Sequence, residues 1–137
     1  MSHLLDTNVI SELRKPASKA EPSVRAWVAS RAPSQLYLSA VTILEIELGI
    51  ARLARRDVAA GGRLLGWLED EVLDAFDGRI LPVDVGVARA AARLHVPDPR
   101  PERDALIAAT AVVHDLTVVT RNVADFRGVA VIDPWSG

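Results

Sequence analysis

The sequence predicts an α/β fold with a central parallel sheet and helices on both of its faces. The prediction rests on short apolar runs, on helical periods between them, and on turn-forming residues at the junctions. The apolar runs predict five strands, near residues 3–6, 35–39, 79–83, 116–120 and 129–132. The helical periods predict six helices, at about 8–15, 22–31, 41–59, 62–76, 85–95 and 102–114. Because each parallel crossover needs a covering element, this alternation predicts three layers, α/β/α.

Glycine and proline set the predicted helix boundaries. Pro16 and Pro22 separate the first two helices, and the proline-rich segment 97–101 precedes the last one. Gly61 and Gly62 are adjacent, and we expect them to break the chain between the third and fourth helices.

The composition describes one folded domain over residues 1–137. Half of the residues are hydrophobic and 25% are charged, so the apolar surface is large enough to offset the entropy of folding. Cysteine is absent, which excludes disulfides, thiolate zinc sites and cysteine nucleophiles. The sequence has neither a signal peptide nor an apolar stretch of membrane-spanning length, so we expect a cytoplasmic protein without membrane contact.

Four carboxylates occur where ligand-binding residues of parallel sheets are found, at the carboxyl ends of strands or at the starts of helices. Asp6 closes the first strand, and Glu45 lies one turn into the helix after the second. Asp104 opens the helix before the fourth strand, and Asp125 follows that strand. These positions predict that the four side chains converge.

Each of these acids also has a purely structural interpretation. Asp6 is a suitable N-cap, Asp104 suits the first turn of a helix, and Asn122 with Asp125 resembles a capping box. Glu45 differs, because its neighbours along the helix are mainly apolar and the carboxylate needs a partner. That partner is either a cation or Arg52, seven residues further on.

Taken together, the four acids favour a metal site. Converging carboxylates repel one another unless a cation lies between them, and hard oxygen ligands select magnesium or manganese. Such an ion activates water and neutralises charge on a phosphate, so the sequence predicts metal-dependent phosphodiester hydrolysis.

Four sequence segments, in this order, resemble PIN-domain ribonucleases of the VapC toxin type. They are Asp6-Thr7-Asn8-Val9-Ile10-Ser11, Glu45, Asp104-Ala105-Leu106-Ile107-Ala108-Ala109-Thr110-Ala111, and Val119-Thr120-Arg121-Asn122-Val123-Ala124-Asp125-Phe126. The resemblance covers the whole chain and implies a PIN-like fold with sheet order 3-2-1-4-5. That order places the first and fourth strands side by side and brings Asp6 to the turn that holds Asn122 and Asp125.

The resemblance also implies roles for the residues at this site. Asp6 and Asp104 correspond to the main metal ligands for Mg²⁺, or Mn²⁺, and Glu45 and Asp125 complete the cluster directly or through water. Thr120 and Asn122 are expected to orient Asp125 or the attacking water. The implied activity is a magnesium-dependent endoribonuclease, the toxin of a type II toxin–antitoxin system, with a cognate antitoxin as partner.

An acidic pocket needs basic groups beside it to bind RNA. We predict that the RNA phosphates contact four basic residues beside the pocket, which are Arg14, Lys15, Arg121 and Arg127. The alternative is a path for the RNA over Arg52, Arg55 and Arg56. The apolar helix pair over 41–75 either forms a partner groove or a homodimer interface, or packs within the monomer core. Aromatic residues make up 4% of the chain, so we expect few platforms for base stacking.

Two alternative functions remain open from the residues alone. One is an aspartyl-phosphate phosphotransferase with Asp6 as nucleophile, although such enzymes usually carry a lysine late in the sheet and here Lys15 and Lys19 are the only lysines. The other is a PIN-like binding module that recruits partners without cleaving RNA. The complete set of acids argues against the binding module.

Overall fold

A five-stranded parallel sheet forms the centre of the protein in a computed structural model that describes residues 1–136. The sheet order is β3-β2-β1-β4-β5, and every pairing is parallel. The strands are β1 (His3–Leu5), β2 (Leu36–Ser39), β3 (Ile80–Leu81), β4 (Thr117–Val119) and β5 (Val131–Ile132). The predicted fold class and the strand order implied by the resemblance are both confirmed.

Seven helices connect the strands within the described part of the chain. They are α1 (Thr7–Arg14), α2 (Pro22–Ala29), α3 (Ala40–Ala54), α4 (Val58–Trp67), α5 (Leu73–Ala75), α6 (Val85–Leu94) and α7 (Glu102–His114). Short 3-10 turns lie at Pro33–Gln35 and Val123–Phe126. Over residues 1–136, every helix is too short or too polar to span a lipid bilayer.

Two apolar clusters cover the two faces of the sheet. Consecutive strand residues point to opposite faces, so Leu5 and Val119 belong to one cluster while Leu4 and Val118 belong to the other. The first cluster also contains residues of α1, α2 and α3, whereas the second contains residues of α7. This arrangement produces the three predicted layers.

The boundary between the third and fourth helices differs from the prediction. We expected a break at Gly61 and Gly62, but both glycines lie inside α4 and the break falls between Ala54 and Val58. Asp57 caps α4, because its side chain accepts a hydrogen bond of 3.0 Å from the backbone N–H of Ala60. An N-cap with a good hydrogen bond therefore determines the break, and the glycines serve another purpose.

Gly61 allows α3 and α4 to approach closely. A Cβ atom added at Gly61 would lie 2.6 Å from the Cβ of Ala54 and 2.8 Å from its Cα. The next residue, Gly62, is exposed and has no atom within 4 Å of an added Cβ. The two adjacent glycines thus differ in function, since only the first contacts another helix.

The segment predicted as one helix over 62–76 changes its winding after Trp67. A π-helical turn, Leu68–Val72, joins α4 to α5. Leu68 and Val72 are both buried in the first apolar cluster, and the wider turn keeps the two side chains on that face.

We predict opposite effects on stability for two neighbouring substitutions in α4. Gly61→Ala should lower the free energy of unfolding by about 1–3 kcal/mol, because the new methyl group overlaps Ala54. Gly62→Ala should raise it by about 0.5–1 kcal/mol, because the chain there gains helix propensity without a clash. Urea unfolding of both variants tests this, and equal effects of the two substitutions would contradict the assigned helix contact.

Candidate active site

A cavity of about 440 Å³ opens at the carboxyl ends of β1 and β4. Its lining includes three of the four predicted acids, namely Asp6, Glu45 and Asp104. Asp125 does not line the cavity, but it is close enough for its charge to act on both Asp6 and Asp104. The structure therefore brings all four carboxylates together, although their roles stay predictions.

The register of the sheet fixes the position of Asp6. Leu5 pairs with Val119, so the residues that follow, Asp6 and Thr120, meet where the strands end. One carboxylate oxygen of Asp6 accepts a hydrogen bond of 2.8 Å from the backbone N–H of Thr7, and the other accepts one of 2.8 Å from the Thr120 hydroxyl. Asp6 is thus an N-cap of α1 and a member of the acidic cluster at once.

Thr120 orients Asp6, whereas we expected it to orient Asp125 or a water molecule. Its hydroxyl donates to Asp6 and accepts a 3.0 Å hydrogen bond from the backbone N–H of Asn122. Asn122 lines the cavity but its side chain makes no capping hydrogen bond, so the capping box that was the structural alternative is absent from the described turn. The backbone of Asn122, through Thr120, helps to fix Asp6.

Glu45 has two partners in the structure, and neither is Arg52, the arginine that was one of the two alternatives from the sequence. The Thr7 hydroxyl donates a 2.6 Å hydrogen bond to one carboxylate oxygen of Glu45. The other oxygen lies 3.7 Å from a guanidinium nitrogen of Arg103, which precedes Asp104 in α7. Since Glu45 is only 25% exposed, these contacts supply the compensation that its apolar helix lacks.

Asp104 is the least compensated acid of the cluster. Burial, followed by the charges of Asp125, Asp6 and Glu45, raises its pKa to about 6, and no hydrogen bond offsets these effects. Burial also raises the pKa of Asp6, although the hydrogen bonds from Thr120 and Thr7 oppose that rise. The cluster therefore holds negative charge at some energetic cost.

Two of the four basic candidates line this cavity. Lys15 forms a 2.9 Å ion pair with Glu12, whose second oxygen accepts a 2.8 Å hydrogen bond from the backbone N–H of Glu21. The hydrogen bond from Lys15 lowers the pKa of Glu12, so the Glu12 carboxylate stays ionised across the neutral range. Arg121 lines the cavity as well, with its guanidinium 5.5 Å from the centre of the Trp135 ring.

The other two basic candidates lie elsewhere. The guanidinium of Arg14 lies over Trp67, 5.9 Å from the ring centre, and lines separate cavities that also contain Glu71. Arg127 is not among the residues that line the acidic cavity, and its backbone oxygen accepts a 2.7 Å hydrogen bond from Arg100.

Sequence reasoning missed several residues that build the site. Thr7 directly follows Asp6, and Arg103 directly precedes Asp104. Their positions next to predicted site residues were the signal that could have pointed to their contacts with Glu45. Thr42, three residues before Glu45 on the same helix face, places its hydroxyl 3.2 Å from that of Thr7. Trp135 carried no such signal, because nothing in its local pattern places it near Asp6.

The fold and the site together define a PIN domain: the family described as the PIN domain matches residues 3–132, and the chain belongs to this family. The chain is 40% identical to the VapC ribonuclease Y4jK of Sinorhizobium fredii, over 96% of each chain. It is 41% identical to toxin FitB of Neisseria gonorrhoeae, over 96% of this chain and 97% of FitB. The resemblance inferred from the motifs is confirmed.

Solved structures agree with this assignment. The crystal structure of FitAcB from Neisseria gonorrhoeae superimposes with a TM-score of 0.87 at 40% identity, covering 96% of this chain and 97% of that chain. The structure of FitAB bound to an IR36 DNA fragment gives a TM-score of 0.86 at 39% identity, covering 96% of this chain and 94% of that chain.

We predict that Asp104→Asn stabilises the metal-free protein. The pKa of Asp104 rises from 3.8 to about 6 on folding, so folding is favoured by protonation and stability falls as the pH rises from about 4 to about 6. Removing the charge should raise the free energy of unfolding by about 1 kcal/mol at pH 7, after allowance for solvent screening. It should also flatten the pH dependence between those values.

Thermal melts in EDTA at several pH values would test this, with Asp84→Asn as the control. Asp84 caps α6 through a 2.9 Å hydrogen bond from the backbone N–H of Val87, and asparagine caps as well as aspartate. If the Asp104→Asn and Asp84→Asn variants both had the melting temperature of the unsubstituted protein, Asp104 would not experience the repulsion from the other carboxylates.

Proposed function

We propose that this protein is a magnesium-dependent endoribonuclease that acts as the toxin of a type II toxin–antitoxin system in the cytoplasm. The observation that carries the proposal is the meeting of four mutually repelling carboxylates at the ends of β1 and β4. The relative named VapC ribonuclease, 40% identical over nearly the whole chain, supports the ribonuclease activity.

The donor set suits a hard divalent cation. Carboxylate oxygens are the ligands that Mg²⁺ and Mn²⁺ prefer, and a cation offsets the burial and the carboxylate repulsion that together raise the pKa of Asp104. Asp6 and Asp104 would hold the ion, with Glu45 and Asp125 completing the set directly or through water. Within residues 1–136, no three His, Cys, Asp or Glu side chains are grouped closely enough to hold a metal ion on their own.

A bound divalent ion would supply the Lewis acidity needed to activate water and to neutralise charge on a phosphate. The chain's own residues prepare the cavity for this chemistry. Thr120 and the Thr7 N–H keep both Asp6 oxygens oriented, while the Thr7 hydroxyl holds Glu45. Lys15 and Arg121 line the same cavity and provide positive charge for the RNA backbone.

The toxin role implies protein partners. The relative FitB is named a toxin, and one of the similar solved structures is that of FitAB bound to a DNA fragment. By analogy we propose that a cognate antitoxin binds this chain. We also expect a homodimer, because Val58 is 80% exposed and lines, together with Leu65, a largely apolar cavity of about 380 Å³ between α3 and α4.

We predict that cleavage of single-stranded RNA requires magnesium or manganese and stops in EDTA. Asp104→Asn should reduce the rate by orders of magnitude, because the amide lacks the anionic oxygen that holds the ion. Asp84→Asn, a cap variant outside the cluster, should cleave normally. The assay follows fragments of labelled RNA on a gel, and undiminished cleavage in EDTA by pure protein would contradict the proposal. RNA binding without any cleavage would favour the binding module instead.

We predict that Lys15→Gln weakens RNA binding whereas Arg14→Gln does not. Lys15 lines the acidic cavity, but the neighbouring Arg14 lies over Trp67 in different cavities. Loss of one phosphate contact should reduce the slope of log affinity against log salt by about one. Fluorescence anisotropy at several salt concentrations measures this slope, and equal effects of the two substitutions would place the RNA path elsewhere.

A further inference from the structure

Trp135 is the only aromatic residue that lines the acidic cavity in the part of the chain described, 1–136. The other two tryptophans have different surroundings. Trp27 packs edge-on against His3, with ring centres 4.9 Å apart, and Trp67 lies under Arg14. An aromatic ring in a cavity otherwise lined by charged and polar side chains calls for an explanation beyond core packing.

The backbone around Trp135 is held firmly. One carboxylate oxygen of Asp133 accepts a 2.9 Å hydrogen bond from the backbone N–H of Trp135, and the other accepts one of 2.8 Å from the Ser136 hydroxyl. The half-buried indole packs against the apolar cluster that contains Leu5 and Val9. Trp135 therefore presents its ring at the cavity without a large ordering cost when a ligand arrives.

Arg121 places a guanidinium over this aromatic ring. Its guanidinium lies 5.5 Å from the Trp135 ring centre, and its residue follows Thr120, which donates to Asp6. The backbone N–H of Arg121 also points to the Asn8 side chain, at 3.5 Å. Arg121 is thus adjacent in sequence to Thr120, the residue that orients a predicted metal ligand, and its guanidinium lies over the Trp135 ring.

We propose that Trp135 and Arg121 form a stacking platform for an unpaired nucleobase of RNA, next to the phosphate at the acidic cluster. Nucleobases stack on indole rings and on guanidinium planes, and the cation–π pair of Arg121 and Trp135 at the cavity combines these two groups. Bases within a duplex already stack on their neighbours, so the platform selects single-stranded RNA. This inference rests on the ribonuclease function proposed above and adds a determinant of substrate class to it.

The test measures binding of a short fluorescein-labelled single-stranded RNA containing all four bases, in magnesium. All proteins carry Asp104→Asn so that the RNA stays intact. Trp135→Ala should weaken binding roughly tenfold, and Trp135→Phe should recover most of that loss, because a smaller ring still stacks. Trp67→Phe and Trp67→Ala are the matched controls, since Trp67 also lies beside an arginine but in other cavities, and they should not change the affinity.

A second measurement leaves the platform intact and alters the RNA instead. Single abasic substitutions along the strand should identify one position at which loss of the base weakens binding about tenfold. A duplex of the same sequence should bind more weakly than the single strand. These results do not depend on whether Trp135→Ala folds, which circular dichroism would check.

The stacking platform would be overturned if Trp135→Ala and Trp135→Phe bound the RNA with equal affinity and if abasic substitutions at all positions of the strand had the same effect on binding. Cleavage of RNA by the unsubstituted protein in magnesium would then still support the ribonuclease. If that protein cleaves no RNA while the abasic scan shows one sensitive position, the platform stands as a binding site and the proposed catalytic function fails.

Discussion

The central position of β1 is the constraint on which the rest of the structure depends. β1 pairs with β2 on one side and β4 on the other, and Leu4 and Leu5 are fully buried on opposite faces of the sheet. A shift in register by one residue would move both leucines to the opposite faces of the sheet and displace Asp6 from the strand end. The position of β1 therefore also fixes the two residues that follow it in the cavity. Asp6 caps α1, and Thr7 donates a hydrogen bond to Glu45.

The site combines an anionic centre with cationic groups at its border. Arg103 pairs with Glu45, whereas the other three acids form no ion pair within residues 1–136. Lys15 and Arg121 are each held by a neighbour, Glu12 and Trp135 respectively, so their charges are positioned before any ligand binds. This distribution suits a polyanion whose backbone contacts the border while a cation compensates the centre.

Much of the fold and of the acidic cluster could be predicted, because both depend on local patterns. The strand order followed from a family resemblance carried by short motifs, and each acid stands directly beside a strand end or a helix start. The helix break could not be predicted from Gly61, whose role depends on a contact with Ala54 in another helix. The partner of Glu45 and the position of Trp135 likewise depend on tertiary packing.

The hydrogen bond between Asp6 and Thr120 joins residues 114 positions apart. Contacts between such distant residues form late, since the entropy of closing the long intervening loop must be overcome before they contribute to stability. A growing chain on the ribosome that has not yet emerged as far as β4 has β1 without that partner strand, and it lacks Thr120 and Asp125. The cavity therefore stays unformed until most of the chain has been translated. Translation of the chain and assembly of its acidic cluster are thus separated in time.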